Sequence, residues 1–266
     1  MSGFQLWRRA AMLAAAVALS SCGSTPKEDN TTQAVDKLYA EAKDDLSSGS
    51  YERAIKSLER VEGRAAGTLL AQQAQIDLAY AYWKTGERAQ ALSTLDRFIR
   101  LNPSSPALDY ALYLRGLVNF NDNLGIFGNL SRQDLSERDQ QASRDAYQSF
   151  KQLADQFPQS RYTQDARTRM DYIVNALAAY EVHVARYYYR RGTYVAAVNR
   201  AQQALTEFQQ APALEEALFI MARSYDRLGL DTLRDDADRV LKQNFPNSPF
   251  LTEGGRRSER SWWQFW

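Results

Sequence analysis

This chain is poor in the residue types from which reactive centres are made: 266 residues hold one cysteine, Cys22, and one histidine, His183. A lone cysteine excludes a disulfide within the chain. A histidine-dependent triad would have to be built around His183, which stands between Val182 and Val184 in a helix-periodic stretch with no positioned partner signalled nearby, so it reads as a packing or hydrogen-bonding residue. Zinc has no plausible ligand set. The adjacent acids Asp44-Asp45 and Asp235-Asp236 are neighbours along a helix, point apart, and read as solvated surface. No glycine-rich phosphate loop follows a strand, and we expect no catalytic and no metal residues. Proline and glycine are also scarce, at 7 and 13, and most of them separate apolar-periodic segments. No segment alternates with a strand period, so the body is expected to be all-α. The formal net charge is only +1, without the basic excess of a nucleic-acid binder. No segment after the N-terminal one resembles a membrane span.

What is present begins with Arg8 and Arg9, an alanine-rich apolar run from Ala10 to Leu19, and Leu19-Ser20-Ser21-Cys22. The run is too short to cross a bilayer and has the order of a secretion signal. It resembles the lipobox of bacterial lipoproteins, against the alternative of a buried amphipathic helix with an incidental cysteine. Residues 1–21 are then a signal peptide, and Cys22 carries the lipid, with no other cofactor. Several acyl chains at about 0.8 kcal/mol per buried methylene give near-permanent attachment. Gly23 in place of aspartate resembles a cargo sorted to the outer membrane, with the body on the periplasmic face. Loss of Arg8 and Arg9 from the 33 basic residues leaves 31 against 32 acids. Residues 22–33, polar and without anything to bury, read as a lipidated flexible tether.

From 34 to 250 the sequence repeats. Gly49-Ser50-Tyr51-Glu52-Arg53-Ala54 and Gly192-Thr193-Tyr194-Val195-Ala196-Ala197 place Tyr two and Ala five residues after a glycine, and Gly86 with Ala91 repeats the outer part. Gly49 to Gly86 and Gly192 to Gly229 both span 37 residues, while Pro103 and Pro246 each follow their glycine by 17. Each unit is expected to be two antiparallel helices: the glycine makes the turn, the alanine lets the second helix approach, and the proline stops it. The pattern resembles the tetratricopeptide repeat, so we expect an α-solenoid of about five helix pairs, at roughly 34–66, 70–104, 107–160, 176–212 and 214–249. The third carries an insertion at about 121–141. In the fifth, Arg234 stands in the alanine slot, so that pair is expected to be splayed or shifted. Residues 251–266 form a basic and aromatic tail ending in Trp262-Trp263-Gln264-Phe265-Trp266, for which docking on a partner, membrane contact, folding back and disorder are all open.

Stacked helix pairs leave a groove lined by the first helix of each unit. Helical periodicity turns Ile76, Tyr80, Trp83 and Lys84 toward it if Leu78 and Tyr82 pack inward, with Tyr39, Lys43 and Leu46 in the preceding unit. Aromatics beside lysines suit an extended ligand with an aromatic side chain and a carboxylate end, and equally suit glue between repeats. Tyr187, Tyr188 and Tyr189 are expected to divide between core and surface.

Tyr180-Glu181-x-x-Val184-Ala185-x-Tyr187-Tyr188-x-x-Arg191-Gly192 followed by Val195-Ala196-x-Val198-Asn199-Arg200 is similar to the signature of the BamD family, lipoproteins of the outer-membrane β-barrel assembly machine of Gram-negative bacteria. The similarity continues through Leu108-Asp109-Tyr110, Tyr113-x-Arg115-Gly116-Leu117, Ser136-x-Arg138-Asp139 and Phe157-Pro158-Gln159-Ser160-Arg161-Tyr162. It implies a non-enzymatic scaffold that binds a periplasmic domain of the BamA insertase through C-terminal repeats, works beside other Bam lipoproteins, and receives unfolded outer-membrane protein precursors at N-terminal repeats. Asn199 and Arg200 then face the insertase, unless Arg200 instead pairs internally with Glu181 or a neighbouring residue. Tyr39, Lys43, Tyr80, Trp83 and Lys84 form the peptide groove, for precursor ends closed by an aromatic residue. Two competitors are a tetratricopeptide scaffold or pilotin for pili or secretion, and a lipid-anchored cell-wall hydrolase.

Overall fold

The structure is a computed structural model that describes residues 27–120 and 140–252; the expected signal peptide, Cys22, most of the insertion and the tail beyond Thr252 lie outside the described residues. Ten helices follow one another in five pairs: α1 Lys27–Ser47 with α2 Tyr51–Arg64, α3 Leu69–Lys84 with α4 Arg88–Leu101, and α5 Leu108–Asn119 with α6 Gln140–Gln156. Then come α7 Thr163–Arg190 with α8 Tyr194–Glu207 and α9 Leu214–Leu228 with α10 Asp231–Asn244, and a single turn, α11, at Pro249–Thr252. Among the described residues every regular element is helical, as the missing strand period implied. The chain divides into two compact units, Met1–Thr94 and Leu95–Trp266.

Four of the five turns between paired helices are chemically one turn. Gly49, Gly86, Gly192 and Gly229 have φ of 76°, 83°, 75° and 70°, the left-handed region that any Cβ disfavours. At the first, the Ser50 N–H donates to Asp45 O at 2.8 Å and the Gly49 N–H to Leu46 O at 3.2 Å, and the same two bonds recur at Glu87, Thr193 and Leu230 with their glycines. This crossed pair satisfies carbonyls that the helix end would otherwise leave bare.

The junctions between successive pairs share a second motif. Phe157 and Phe245 each donate to the carbonyl four residues back at 2.8 Å, the prolines behind them forbid another helical turn, and Ser160 and Ser248 return a bond to the Phe carbonyl at 3.0 Å. Asn102 with Ser105, and Phe208 with Ala211, make the same bond at 3.1 and 2.9 Å. The second of these escapes a search for Pro-x-Ser because Gln209 and Ala211 stand where Pro and Ser stand in the others, and its proline, Pro212, comes three residues later.

Inside the units the alanine slots carry the packing. Ala54, Ala91, Ala146 and Ala197 are fully buried. In the unit up to Thr94, Val35, Ala42, Leu58, Val61, Ala74 and Leu78 form the core. In the other, Leu112, Phe150, Ile173, Ala178, Ala201, Ala217 and Ile220 belong to one cluster. Gly116 is tightest: a Cβ there would lie within 2.6 and 2.7 Å of Phe150 ring carbons, so the ring occupies space that a side chain would need.

Two expectations need correction, and a third takes a specific form. Residues 27–33 are the start of α1 and not tether, since no proline or glycine between Lys27 and Ser48 stops the helix from extending outward from its packed part at Val35. α7 starts at Thr163, well before the expected 176, again because nothing breaks the run up to Arg191. In the fifth pair α10 instead packs through Ala237, one turn after Arg234, and Leu241. Arg234 is turned to carboxylates, with Nη1 donating to Asp231 at 2.6 Å and Asp226 at 3.3 Å. The shift expected at this pair is thus one of packing register along α10.

Candidate binding surfaces

In the N-terminal unit the expected groove residues meet along one stripe of α3, because Asp77, Tyr80 and Lys84 are spaced three and four residues apart. Asp77, 8% exposed, is the acid at its centre. The Tyr39 hydroxyl donates to Asp77 Oδ2 at 2.7 Å and Lys43 Nζ to the same oxygen at 3.2 Å, which ties α1 to α3. Burial, then the bond to Asp77 and its charge, pushes the Tyr39 phenol well above its ordinary value. One turn along, the Tyr80 ring meets Tyr51 edge-on at 6.2 Å and Trp83 at 6.0 Å. Lys84, exposed, holds its ammonium 5.5 Å from the Tyr80 centroid and 4.8 Å from that of Trp83. Tyr80 and Trp83 are half-buried, leaving part of each ring open beside a cation.

Ile76 does not join them: it is 1% exposed. α3 carries apolar residues on every side, with Ala71, Ala74, Ile76, Leu78, Ala79 and Ala81 all buried, so the assignment of one apolar face fails for this helix. Asp77 itself was missed. Its signal in the sequence is an acid in the middle of that apolar helix, a place where an unpaired charge is too costly to keep.

In the C-terminal unit Asn199 is exposed on α8, and Arg200 one residue on is half-buried. Arg200 Nη1 donates to Glu181 Oε2 at 3.2 Å and to Gln203 Oε1 at 3.4 Å. The Glu181 side chain is 3% exposed and that of Arg200 40%. Arg200 is therefore held to α7 by the internal pair and offers only its outer edge to solvent, while Asn199 stands free of that constraint. Arg186 makes a second tie, from α7 to Glu216 on α9 at 2.6 Å through Nε, which no spacing in the sequence suggested. Tyr187, Tyr188 and Tyr189 are exposed, half-buried and buried in turn, the division expected. His183 is half-buried on α7.

The motif residues around 108–117 and 157–162 come together in this unit. Tyr113 stacks on Tyr162 at 4.8 Å and donates to Asp165 at 2.7 Å, and Ser160 donates to Asp109 at 2.7 Å. Arg115 reaches Asp96 at 2.7 Å and Ser149 at 3.1 Å, and so links α4, α5 and α6. Burial, then Asp165, raises the Tyr113 phenol to about 12. For Asp165 burial acts upward, yet the bonds from Tyr113 and Arg169 outweigh it and the carboxyl lies below its ordinary value. The motif is thus a set of mutual contacts between α5 and the start of α7.

A sequence profile described as outer membrane lipoprotein, YfiO, matches residues 31–241. The chain belongs to this family of outer membrane lipoproteins. It is 46% identical over 255 residues to the outer membrane protein assembly factor BamD of Neisseria meningitidis serogroup A, covering 94% of this chain and 96% of that one. Similarity to the BamD of Haemophilus influenzae is 34% over 234 residues, 88% of this chain and 89% of the relative. Among solved structures, a putative kinesin light chain with TPR-like repeats, from an organism given as Podosopora anserina, aligns at a TM-score of 0.34 and 15% identity, over 80% of this chain and 97% of that one. Family membership places the protein at the outer membrane. The exposed Asn199, the half-open Tyr80 and Trp83, and Lys84 beside them are features on which a binding role in such a family can rest.

Proposed function

We propose that this protein is a non-enzymatic scaffold of outer-membrane β-barrel assembly, anchored by lipid on Cys22 to the periplasmic face of the outer membrane. The observation that carries this reading is 46% identity over 94% of the chain to a protein named as an outer membrane protein assembly factor. In this reading Asn199 and the outer edge of Arg200 contact the periplasmic domain of the BamA insertase, with other Bam lipoproteins in the same assembly. Precursor ends bind at Tyr80, Trp83 and Lys84: the open ring faces take an aromatic side chain and the ammonium takes a carboxylate. Tyr39 and Lys43 act one step back, since both are already engaged with Asp77, and they hold α1 in place beside the aromatic stripe.

Binding of this kind needs no turnover and no cofactor beyond the lipid. Copurification from detergent-solubilised outer membranes tests the assembly as a whole, and absence of the insertase from the eluate would end the reading. Asn199→Ala tests the insertase contact without touching an internal bond, and should weaken capture of the insertase's periplasmic domains at unchanged helix content. Trp83→Ala should raise the Kd for a peptide ending in Phe, and an unaltered Kd would remove Trp83 from the groove.

A further inference from the structure

A pocket of about 340 Å³ lies where α6, α7 and the end of α8 meet. Tyr147 of α6, Val174 and Leu177 of α7 and Phe208 just past α8 make its apolar wall, and Arg144 and Glu207 line it as its charged pair. Arg144 Nη2 donates to Glu207 Oε2 at 3.3 Å, and the Gln203 amide donates to the other oxygen of that acid at 3.0 Å. Among the described residues Arg144 makes no second bond, although a guanidinium carries five N–H donors. Glu207 is the last residue of α8, the end at which the helix dipole disfavours an acid, so helix stability does not account for its place. The two side chains are 41% and 37% exposed, and a pair so wetted holds weakly and opens readily.

We propose that this pocket binds a small zwitterion with an aromatic or bulky aliphatic side group, the chemical class of a free apolar α-amino acid. The carboxylate takes the Arg144 fork, the ammonium takes Glu207, and the side group enters between Tyr147, Val174, Leu177 and Phe208. The pair selects for a ligand that carries both charges, because a simple carboxylate meets Glu207 and a simple amine meets Arg144, each a like charge. Binding exchanges one exposed ion pair for two charge-assisted ones beside an apolar wall, where they are less screened than the pair they replace. Arg144 and Glu207 are long side chains on different helices, 63 residues apart in the chain, and can part by rotamer change alone. The volume falls at the small end of ligand pockets, as an occupant of this size requires. No residue lining the pocket belongs to the proposed insertase or precursor contacts, so failure here leaves those readings as they were.

Equilibrium dialysis of the full chain in detergent against labelled L-phenylalanine tests it. Saturable uptake of one equivalent per chain is expected, and uptake that only rises linearly, as partition into micelles does, overturns the proposal. N-acetylphenylalanine lacks the ammonium, phenylalaninamide the carboxylate and glycine the side group, and each should compete roughly tenfold more weakly than phenylalanine. Competition by any of the three as strong as that of phenylalanine itself removes the zwitterion or the apolar wall from the recognition, and with it the proposal. Arg144→Gln and Glu207→Gln, both at partly exposed side chains, should each lower the affinity by a similar factor at unchanged helix content. Full uptake by either variant would show that the pair does not hold the ligand and would also overturn the proposal.

Discussion

The two units each bury one carboxylate and pin it to a cation from a neighbouring helix, and they do so differently. In the N-terminal unit Asp77 takes bonds from both the Tyr39 hydroxyl at 2.7 Å and the Lys43 ammonium at 3.2 Å. In the C-terminal unit Glu181 takes the Arg200 guanidinium at 3.2 Å and is deeper, its side chain 3% exposed against 11% for Asp77. A buried acid with two kinds of donor survives the loss of one. An acid that leans on one guanidinium does not, because an unpaired charge in that place has neither water nor a partner. Arg200 therefore has a structural duty toward α7 that any partner contact must share.

The sharpest break in this comparison is Arg200→Ala. It strands Glu181, and since the arginine itself is partly solvated we expect a loss of about 2–3 kcal/mol in urea unfolding, below the full range for a severed buried pair. Adding Glu181→Leu should restore much of it, because two apolar groups in place of a pair leave nothing unsatisfied. If Arg200→Ala unfolds at the same urea midpoint as the wild type, Glu181 has support elsewhere and the contrast with Asp77 is wrong. Arg200→Glu, the obvious charge reversal for an insertase contact, sets two carboxylates together and confounds binding with folding, so Asn199→Ala is the cleaner probe.

A smaller effect is expected at Asp77. Lys43→Ala alone should lose about 0.5–1 kcal/mol and Tyr39→Phe about 1 kcal/mol, as each leaves the other donor in place. The double variant should lose more than the two together, because only then is Asp77 left bare. Strict additivity in the double-mutant cycle would mean that the two donors do not share the acid.

The sequence made the frame of these contacts legible and left the contacts themselves unread. Gly49, Gly86, Gly192 and Gly229 could be found because a left-handed turn residue is chemically narrow, and Pro158 and Pro246 because a proline stops a helix wherever it falls. The motif around Val198-Asn199-Arg200 was legible as a family pattern. Asp77 was not, since its donors lie 34 and 38 residues away and no local rule links them. Ile76 was misassigned for a related reason: periodicity reports which face is apolar, and α3 is apolar all round. Glu181 was the named alternative for Arg200, found because the two residues belong to adjacent helices of one pair. The length of α7 escaped because repeat spacing gives a unit's period but not how far a helix runs beyond it.

The smallest effect separates the two acids by pH. Tyr39 is a phenol whose folded value is raised above the unfolded 10.0 by burial and by Asp77. Its contribution is therefore complete below pH 10 and fades as pH rises through the folded value, where the deprotonated oxygen can no longer donate. The Glu181 pair involves no phenol and has no part in that fading. Tyr39→Phe should consequently flatten the alkaline limb of Tm against pH, while Arg200→Ala lowers the whole curve without changing its alkaline slope. Tyr82, bound to Glu59 at 2.7 Å, and Tyr113, bound to Asp165, both stand near 12, chiefly through burial, and supply a background slope common to every variant. An alkaline slope that survives Tyr39→Phe unchanged would mean that Asp77 keeps its hold on α1 through Lys43 alone.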